Sequence, residues 1–537
     1  MNQQFFPNKE PNENALIALP CYYLYGKRFY SDQPAIELLA EFLMLVYAEK
    51  KIDGKSFGSV FPNDVSLDIK SLKYNINHKL YFKLFSLWPT GKHPKESKFH
   101  AEEYKNLMQQ LKKSIKCDDY AERHLEILSN LYQGFQVAGE TRDWASRSFL
   151  PLSKNLITGE TIWRASNAKK SDAEDFNGIK KFFSHTDRDF YARGGEILYL
   201  QLLALITKSK EDVKKWINDN DYSSIKVSEE EMDPNVLKAR ITEGFNRIYS
   251  SKTVPSGFDV FIDFVERKGF EHSAIDESTL DDGKESPFNY TEDMEAGFIP
   301  IDSWYLGYLF ALDLSRLFSS QFDSIELIRL LEIECTLQVF RTMAYQSSKY
   351  LDKSKPLFAV VSENSGNQQL IAVSKRAFDS ILMRIKDSFD LIVEKDRLAE
   401  MSCSDKKFNE SDMHKKYGYA MLRKHLKEIN VVVPKKGGNE HFVLTKNMLI
   451  LLISTTLSAG EALTLESFLN DLKIRWGFVF DSEGFTEVNK QENIKQMVSD
   501  PSIMDWLVDM LKECGYYIAL SDAISLVKNN NISVEKK

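Results

Sequence analysis

The sequence predicts a mainly α-helical, multi-domain protein. The N-terminal and central regions are predicted to be helical, with a small β-hairpin near 357–373 and a winged-helix-like module at the C-terminal end. Apolar residues recur at intervals of three and four positions along most of the chain, which is the helical period. Strand-like apolar runs are short and few. A length of 537 residues also exceeds what one hydrophobic core usually accommodates.

The composition is that of a packed protein with an acidic balance. Hydrophobic residues make up 43% of the chain and aromatic residues 12%, which supports globular cores and argues against disorder. The formal net charge of −8 argues against a globally basic nucleic-acid binder, because Lys and Arg contacts to phosphates supply most non-specific affinity. Local contacts to DNA stay open.

Cysteine spacing and hydropathy bear on the cellular compartment. The five cysteines, at positions 21, 117, 335, 403 and 514, form no close pair and show no metal-ligand spacing. A reducing cytosol fits this pattern best. The first residues lack the basic and apolar regions of an export signal, and the most apolar stretch, 447–457, is too short to cross a bilayer. We therefore expect a cytoplasmic protein with no membrane partner.

Shifts in composition divide the chain into five parts. An acidic segment that contains Ser and Gly, 273–292, is the best linker candidate. Two predicted helical domains, 1–140 and 141–272, precede it. A helical block with the β-hairpin follows at 293–404, and the winged-helix-like module occupies 405–537.

The N-terminal domain is predicted from amphipathic spacing. Between Gln33 and Lys50 the apolar residues recur at helical intervals, and Pro34 stands near the first turn, where proline is well tolerated. Two further helices are expected at 102–116 and 118–135. This part of the chain is therefore expected to be helical.

A glycine pair at the start of a helix is the sharpest local signal in the second domain. His185, Arg188 and Arg193 precede Gly194 and Gly195, which lead directly into an apolar helical segment. The glycines would let a ligand or another chain approach the backbone, and the free N–H groups of the first turn would bind an anion or a nucleic-acid phosphate. The alternative is structural, because a tight entry into a buried helix needs only glycine and capping side chains.

A second candidate for nucleic-acid binding lies upstream. Arg142, Trp144 and Arg147 alternate with small polar residues, and arginine together with aromatic rings forms stacking surfaces for bases. The alternative is amphipathic packing, in which the arginine stems cover apolar surface. Both interpretations stay open at the level of sequence.

Four strings from the second domain carry a resemblance to a known group of proteins. Arg142–Trp144, Ser148–Leu152, Glu160–Trp163 and Asp189–Glu196 resemble segments of large accessory proteins from bacterial DNA-defence islands. In particular, they resemble accessory subunits of phosphorothioation-dependent restriction systems, which work beside a HerA-like motor ATPase. The resemblance includes no catalytic motif. It implies a role in a multi-subunit defence complex and assigns no functional residue.

Acidic residues near position 260 suggest an alternative function. Asp259, Asp263, Glu266 and Lys268 are the residue types found in the metal sites of restriction nucleases. Such a site needs its Glu and Lys on one strand, whereas the surrounding apolar residues have helical period. On a helix, Glu266 and Lys268 point about 200° apart. A DNA-processing, nuclease-like effector with a dispersed active site is therefore the alternative hypothesis.

The central block contains the strongest helical pattern. Two helices are predicted within 301–351, and the first is apolar nearly all round, which favours burial between other helices. The β-hairpin is predicted from two apolar runs, 357–361 and 370–373, on either side of the turn residues 364–367. A long helix is then expected to begin at Lys375.

Three helices and a closing hairpin characterise the C-terminal module. Helices at 445–457, 464–476 and 502–514 precede two strand-like runs after Gly515, which is the order of elements in a winged helix. Between 442 and 528 there are seven basic and twelve acidic residues, and the third helix carries three acidic residues and one lysine. Such a face would repel phosphates, so the module is expected to bind protein rather than DNA.

Motifs for catalysis and metal binding are incomplete in the sequence. Gly54-Lys55-Ser56 matches the end of a phosphate loop, but Glu49 stands where the first glycine would be, at the end of a predicted helix rather than a strand. The nine histidines include no pair at metal-ligand spacing. The sequence therefore predicts no catalytic residue, no cofactor and no metal site.

These observations together predict a non-catalytic scaffold or adaptor subunit of a bacterial anti-phage restriction complex. Its expected partners are other protein subunits, with a HerA-like ATPase among the candidates. Direct contact with DNA is left open by the sequence.

Overall fold

The computed structural model of the chain is mainly helical, as the sequence predicts. It describes residues 4–7, 16–27, 29–31, 33–58, 60–62, 69–79, 97–114, 120–133, 136–138, 148–157, 162–163, 183–184, 194–220, 222–250, 259–265, 267, 289–395, 410–500, 502–520 and 524–534. No helix within these ranges is both long and apolar enough to span a membrane.

The helices are distributed along the whole described chain. In the first half they are α1 (Leu19–Tyr25), α2 (Ala35–Tyr47), α3 (Ser97–Ser114), α4 (Ala121–Gln133), α5 (Gly194–Ile206), α6 (Lys210–Asp219) and α7 (Pro234–Ile248). In the second half they are α8 (Trp304–Ser319), α9 (Ser324–Tyr350), α10 (Gln368–Lys395), α11 (Glu410–Tyr417), α12 (Tyr419–Glu428), α13 (Lys446–Thr456), α14 (Leu465–Trp476), α15 (Ser482–Gln491) and α16 (Asp505–Glu513). Residues 259–265 form a further helical segment.

The strands are short and belong to small sheets. The first ten are β1 (Phe5–Phe6), β2 (Glu49–Ile52), β3 (Lys55–Phe57), β4 (Lys73–Lys79), β5 (Gln136–Ala138), β6 (Ser148–Phe149), β7 (Ile162–Trp163), β8 (Phe183–Ser184), β9 (Asn289–Glu295) and β10 (Ile299–Pro300). The rest are β11 (Phe358–Ala359), β12 (Val361–Ser362), β13 (Val432–Val433), β14 (His441–Leu444), β15 (Ala462–Thr464), β16 (Phe478–Val479), β17 (Tyr517–Ala519) and β18 (Ser525–Lys528).

A bundle of helices forms the centre of the molecule. α5 packs against α2 and α8, α8 also packs on α7 and α13, and α9 packs on α2 and α10. Nearly all residues of α5 and most of α8 are buried, as expected for helices that are apolar all round. The backbones of α5 and α8 approach closely at Gly307, where a Cβ atom would lie 2.0 Å from the carbonyl oxygen of Gln201. This crossing therefore requires glycine.

A four-stranded antiparallel sheet packs beside the bundle in the order β3-β2-β4-β9. Tyr74 of β4 is fully buried, and its ring lies 5.9 Å from that of Tyr199 in α5. Asp53 and Gly54 have φ angles of 50° and 76° and form the tight turn between β2 and β3. The Gly54–Ser56 sequence thus belongs to a hairpin and not to a phosphate loop.

The strand β9 overlaps the predicted acidic linker. Residues 289–292 pair with β4 and are part of the four-stranded sheet. The remainder of the predicted linker, 273–288, lies outside the described residues.

The predicted β-hairpin at 357–373 is wrong in its second strand. Residues 370–373 lie in α10, which begins at Gln368. β11 pairs in parallel with β16, and β12 pairs in parallel with β14, so neither strand meets the predicted partner. Leu370 and Val373 are buried three positions apart, which is helical spacing. A short apolar run fits both periods, and packing against the neighbouring core favours the helix here.

The C-terminal part contains the predicted helices and the closing hairpin. β15, β18 and β17 form an antiparallel sheet in that order. α13, α14 and α16 correspond to the three predicted helices, and β16 and α15 are inserted between the second and the third.

The larger of two apolar core clusters connects parts of the chain that the sequence divides into domains. Its buried residues extend from Phe5 to Val527. α13 packs against α8 and α9, and β16 pairs with β11, so contacts cross the boundary predicted at 404/405. The C-terminal part therefore shares its core with the central helices.

Candidate functional site

A cleft of ≈ 770 Å³ opens between α14, the β16–α15 segment and β18. Apolar side chains from four separate parts of the chain help to line it, among them Leu465, Leu469, Phe480, Met504 and Ile524. Ile524 is 51% exposed. The cleft thus presents apolar area to solvent.

The turn from α14 into β16 positions the residues after Gly477 that line the cleft. Gly477 ends α14 in the left-handed conformation, with a φ of 79°, and a Cβ atom there would lie 2.5 Å from the carbonyl oxygen of Pro356. Glycine therefore permits the sharp turn and the close approach that bring β16 beside β11. Asp481 then caps α15, since its Oδ1 accepts a hydrogen bond of 2.7 Å from the backbone N–H of Gly484.

Carboxylates are also among the lining residues of the cleft. Glu466, Asp481 and Glu483 line it, and in the described part of the chain none of the three has an ion-pair partner. Lys473 is the single basic residue among the lining residues, and its Nζ lies 2.7 Å from a carboxylate oxygen of Glu487. The local field of the cleft is therefore negative.

The glycine pair predicted as an anion site lies at the first turn of α5, in the helix contact with α2. A Cβ atom on Gly195 would lie 2.5 Å from the backbone nitrogen of Phe42, so the glycine allows the two helices to touch. The N–H of Gly195 donates to the buried carboxylate of Glu41 at 3.0 Å. A carboxylate of the chain itself thus lies at the place where an external anion was expected beside Gly195.

The other predicted nucleic-acid contacts cannot be placed beside these glycines. His185, Arg188 and Arg193 lie outside the described residues. The same holds for the second candidate set: Arg142, Trp144 and Arg147. These two groups stay predictions.

Two of the carboxylates that the nuclease alternative requires accept hydrogen bonds from Asn155. Asp259 and Asp263 lie four positions apart in the helical segment 259–265. The Nδ2 of Asn155 donates to Asp263 Oδ1 at 3.1 Å, and the backbone N–H of Asn155 donates to Asp259 Oδ1 at 3.3 Å. Glu266 lies outside the described residues. The two described carboxylates thus have a structural role in this contact.

A buried ion cluster lies between α8, α9 and α14. Asp313 accepts hydrogen bonds from Arg341, at 2.7 Å, and from Arg475, and the side chains of all three are inaccessible to solvent. The guanidinium of Arg341 also lies 3.9 Å from the ring centroid of Trp476. Burial lowers the pKa of Arg475 to about 10. One carboxylate thus pairs with two guanidinium groups inside the core, and Arg341 Nη1 and Arg475 Nε have no hydrogen-bond partner in the described part of the chain. Because all three side chains are inaccessible to solvent, we interpret the cluster as structural.

A further buried carboxyl group, that of Glu334, lies near this cluster. Glu334 of α9 is fully buried, and neither of its carboxylate oxygens has a hydrogen-bond partner in the described part of the chain. Burial raises the pKa of Glu334 to about 7, although the charge of Arg341 acts in the opposite direction. This group therefore titrates near neutral pH.

One set of side chains in the described part of the chain could hold a metal ion. Asp390 of α10 and Glu410 and His414 of α11 place three ligand atoms within 4.8 Å of one another. Sequence reasoning missed this set. The Glu410–His414 spacing of four positions, which puts both on one helical face, was the available signal, whereas Asp390 has no local one.

Comparison of the chain with protein-family models, with curated proteins and with solved structures finds no match.

Proposed function

We propose that this protein is a non-catalytic scaffold or adaptor subunit and that the cleft binds a segment of a partner protein. The observation that carries the proposal is a cleft lined by apolar side chains, among them the exposed Ile524, together with three carboxylates. Exposed apolar surface bordered by polar groups is typical of protein interfaces. The negative charge of the cleft lining favours a partner segment that combines apolar side chains with Lys or Arg, since opposite charges steer and orient association.

The cleft is part of a winged-helix-like module in this proposal. Support comes from the antiparallel order β15-β18-β17, in which β17 and β18 would form the wing, and from the three helices that precede it. Asp505, Asp509 and Glu513 are exposed on α16, the helix that reads the major groove in DNA-binding modules of this kind. Acidic side chains there favour a protein partner over DNA.

The partner is proposed to be another subunit of an anti-phage restriction complex, and a HerA-like ATPase is one candidate. Support comes from the resemblance of Arg142–Trp144, Ser148–Leu152, Glu160–Trp163 and Asp189–Glu196 to accessory proteins of DNA-defence islands. In such a complex, contact with DNA would be made by the arginines of the second predicted domain.

A pair of model peptides tests the cleft. An amphipathic peptide of Leu and Lys and its Leu and Glu counterpart of equal length are titrated into the full chain and followed by fluorescence anisotropy. We expect the Lys peptide to bind more tightly than the Glu peptide. Ile524→Asp and Glu466→Lys should each weaken the affinity for the Lys peptide by about tenfold or more, a loss of roughly 1.4 kcal/mol in binding free energy. Met383→Asp is the control, because Met383 is 55% exposed and does not line the cleft. Equal binding of both peptides, or unchanged binding by both cleft variants, would contradict the proposal.

The nuclease-like alternative is tested on the same purified chain. DNA cleavage that requires a divalent metal and is lost in Asp263→Ala would establish that alternative and remove the non-catalytic one. We expect no cleavage by the chain alone, because Asp263 is engaged with Asn155 in a structural contact.

A further inference from the structure

We propose that Asp390, Glu410 and His414 form a divalent metal site that joins α10 to α11. Asp390 Oδ1 lies 2.9 Å from His414 Nε2, and Glu410 Oε1 lies 3.9 Å from the same nitrogen. Bonds of about 2.0–2.2 Å at tetrahedral or octahedral angles require ligand atoms about 3 to 3.5 Å apart. The first pair already has this separation, and a small rotation of Glu410, whose side chain is 61% exposed, brings the third ligand in.

Packing aims the imidazole at the two carboxylates. His414 is 4% exposed, and its ring contacts those of Phe389 and Tyr419, with centroid distances of 5.9 Å and 5.4 Å. Its other nitrogen, Nδ1, is buried and has no hydrogen-bond partner in the described part of the chain. The ring is therefore held by the two aromatic neighbours and by the hydrogen bond between Nε2 and Asp390 Oδ1. A ligand whose orientation is set in advance loses little freedom when a metal binds.

The charge of the cluster suits a divalent cation. Asp390 and Glu410 supply two negative charges, and imidazole nitrogen and carboxylate oxygen are both donor atoms that Zn²⁺ takes in proteins. Lys386 donates to the second oxygen of Asp390 at 2.5 Å, so Oδ1 is the oxygen left to face His414. The Lys386 side chain is 38% exposed, and its positive charge opposes a metal ion at this place.

The position in the chain gives the site a structural consequence. Asp390 lies near the end of α10, whereas Glu410 and His414 lie on the first turns of α11, after residues 396–409. A bound ion would link the two helices directly. Metal binding would therefore stabilise the folded chain, because the ligand set is not assembled in the unfolded chain.

Zinc titration of the full chain tests the site. The protein is treated with a chelator, dialysed and titrated with Zn²⁺ alone by isothermal titration calorimetry. We expect one Zn²⁺ per chain at the site, and we expect Asp390→Asn and His414→Gln to weaken that binding by at least roughly 10–100-fold, the range seen even for residues that only support metal ligands.

Two further variants separate metal binding from folding. His425→Gln is the control, because His425 is a buried histidine on the next helix whose Nε2 contacts the carbonyl oxygen of Gln33 instead of carboxylates. Lys386→Gln should tighten Zn²⁺ binding, a gain that misfolding cannot produce. The site is supported by the two losses, the unchanged control and the gain. Absence of Zn²⁺ binding, or equal affinity in wild type, Asp390→Asn and Lys386→Gln, would overturn it.

Discussion

Glu334 places a buried carboxyl group in the helical core, and its protonation should make stability depend on pH. Its pKa is raised from 4.5 to about 7. The folded state therefore binds more protons than the unfolded state between these values, and stability falls as the pH rises through this window. Since Gln does not titrate, Glu334→Gln should gain stability relative to wild type by up to about 3 kcal/mol between about pH 4.5 and pH 7. Urea denaturation across this range measures the difference, and a difference independent of pH would contradict the burial effect.

Gly195 tests the close contact between α5 and α2. In Gly195→Ala the new Cβ atom would lie 2.5 Å and 2.8 Å from backbone atoms of Phe42 and Leu38, which cannot move without shifting α2. We expect a loss of about 1–3 kcal/mol in unfolding free energy, the usual range for overpacking. Gly438→Ala is the matched control, because open space surrounds its Cβ position, and it should change stability by less than about 0.5 kcal/mol. Similar chemical denaturation curves for both variants would show that the contact tolerates a methyl group.

The glycine pair shows how much of a single position's environment can be predicted from the sequence alone. The sequence indicated a backbone position where a side chain does not fit, and the structure confirms the lack of space at Gly195. It could not indicate that Glu41, 154 positions away, accepts the N–H of Gly195. Local pattern predicts the constraint, whereas the identity of the neighbour depends on how α2 and α5 meet.

The start of α10 is the element-scale feature that the sequence placed incorrectly. Asn367 caps the helix, since its Oδ1 accepts from the backbone N–H groups of Gln369 and Leu370 at 3.1 Å and 3.3 Å. Asn367→Ala should lower the unfolding free energy by about 0.5–2 kcal/mol. Asn364→Ala is the control from the same exposed loop, because no side-chain hydrogen bond of Asn364 is seen in the described chain. Thermal melts that do not distinguish the two variants would contradict the cap.

Long helices, in which the helical period repeats over several turns, were predicted well. The secondary structure of short apolar runs was not. α8 and α9 lie within the predicted 301–351 block, and α8 is buried as its uniform apolarity indicated. Residues 370–373 span about one helical turn, too few for the period to separate helix from strand. The partners of β11 and β12 come from residues after 440, which no local pattern indicates.

At the scale of the whole molecule, Asp313 links three helices through Arg341 and Arg475. Asp313→Asn retains the shape but removes the carboxylate charge that the two buried guanidinium groups share. We expect a loss of about 3–5 kcal/mol in unfolding free energy, as for other buried pairs that lose one partner. Asp302→Asn is the control, because its ion pair with Lys349 is half exposed, and it should cost at most about 1 kcal/mol. Equal denaturation midpoints would contradict the linking role of Asp313.

The sequence predicted the acidic charge of the region that contains the cleft, but it did not predict the cleft itself. The excess of acidic residues between 442 and 528 indicated a surface unsuited to DNA. The cleft itself joins residues near 465, 480, 504 and 524, and their meeting depends on the turn at Gly477 and on the insertion of β16 and α15. The metal-ligand set likewise combines Glu410 and His414, whose spacing of four positions is visible in the sequence, with Asp390, which no local pattern indicates.

Site-specific photo-crosslinking tests the proposed subunit role most directly. A photoreactive amino acid is placed at position 524 at the edge of the cleft, or at position 383 as the exposed control, and the chain is irradiated in its native host. We expect position 524 to crosslink one partner protein through a segment with apolar and basic residues, and position 383 not to crosslink that protein. Mass spectrometry of the crosslinked peptides identifies the segment. Crosslinks from position 524 to DNA, or equal capture of the same protein from both positions, would contradict a protein-binding cleft.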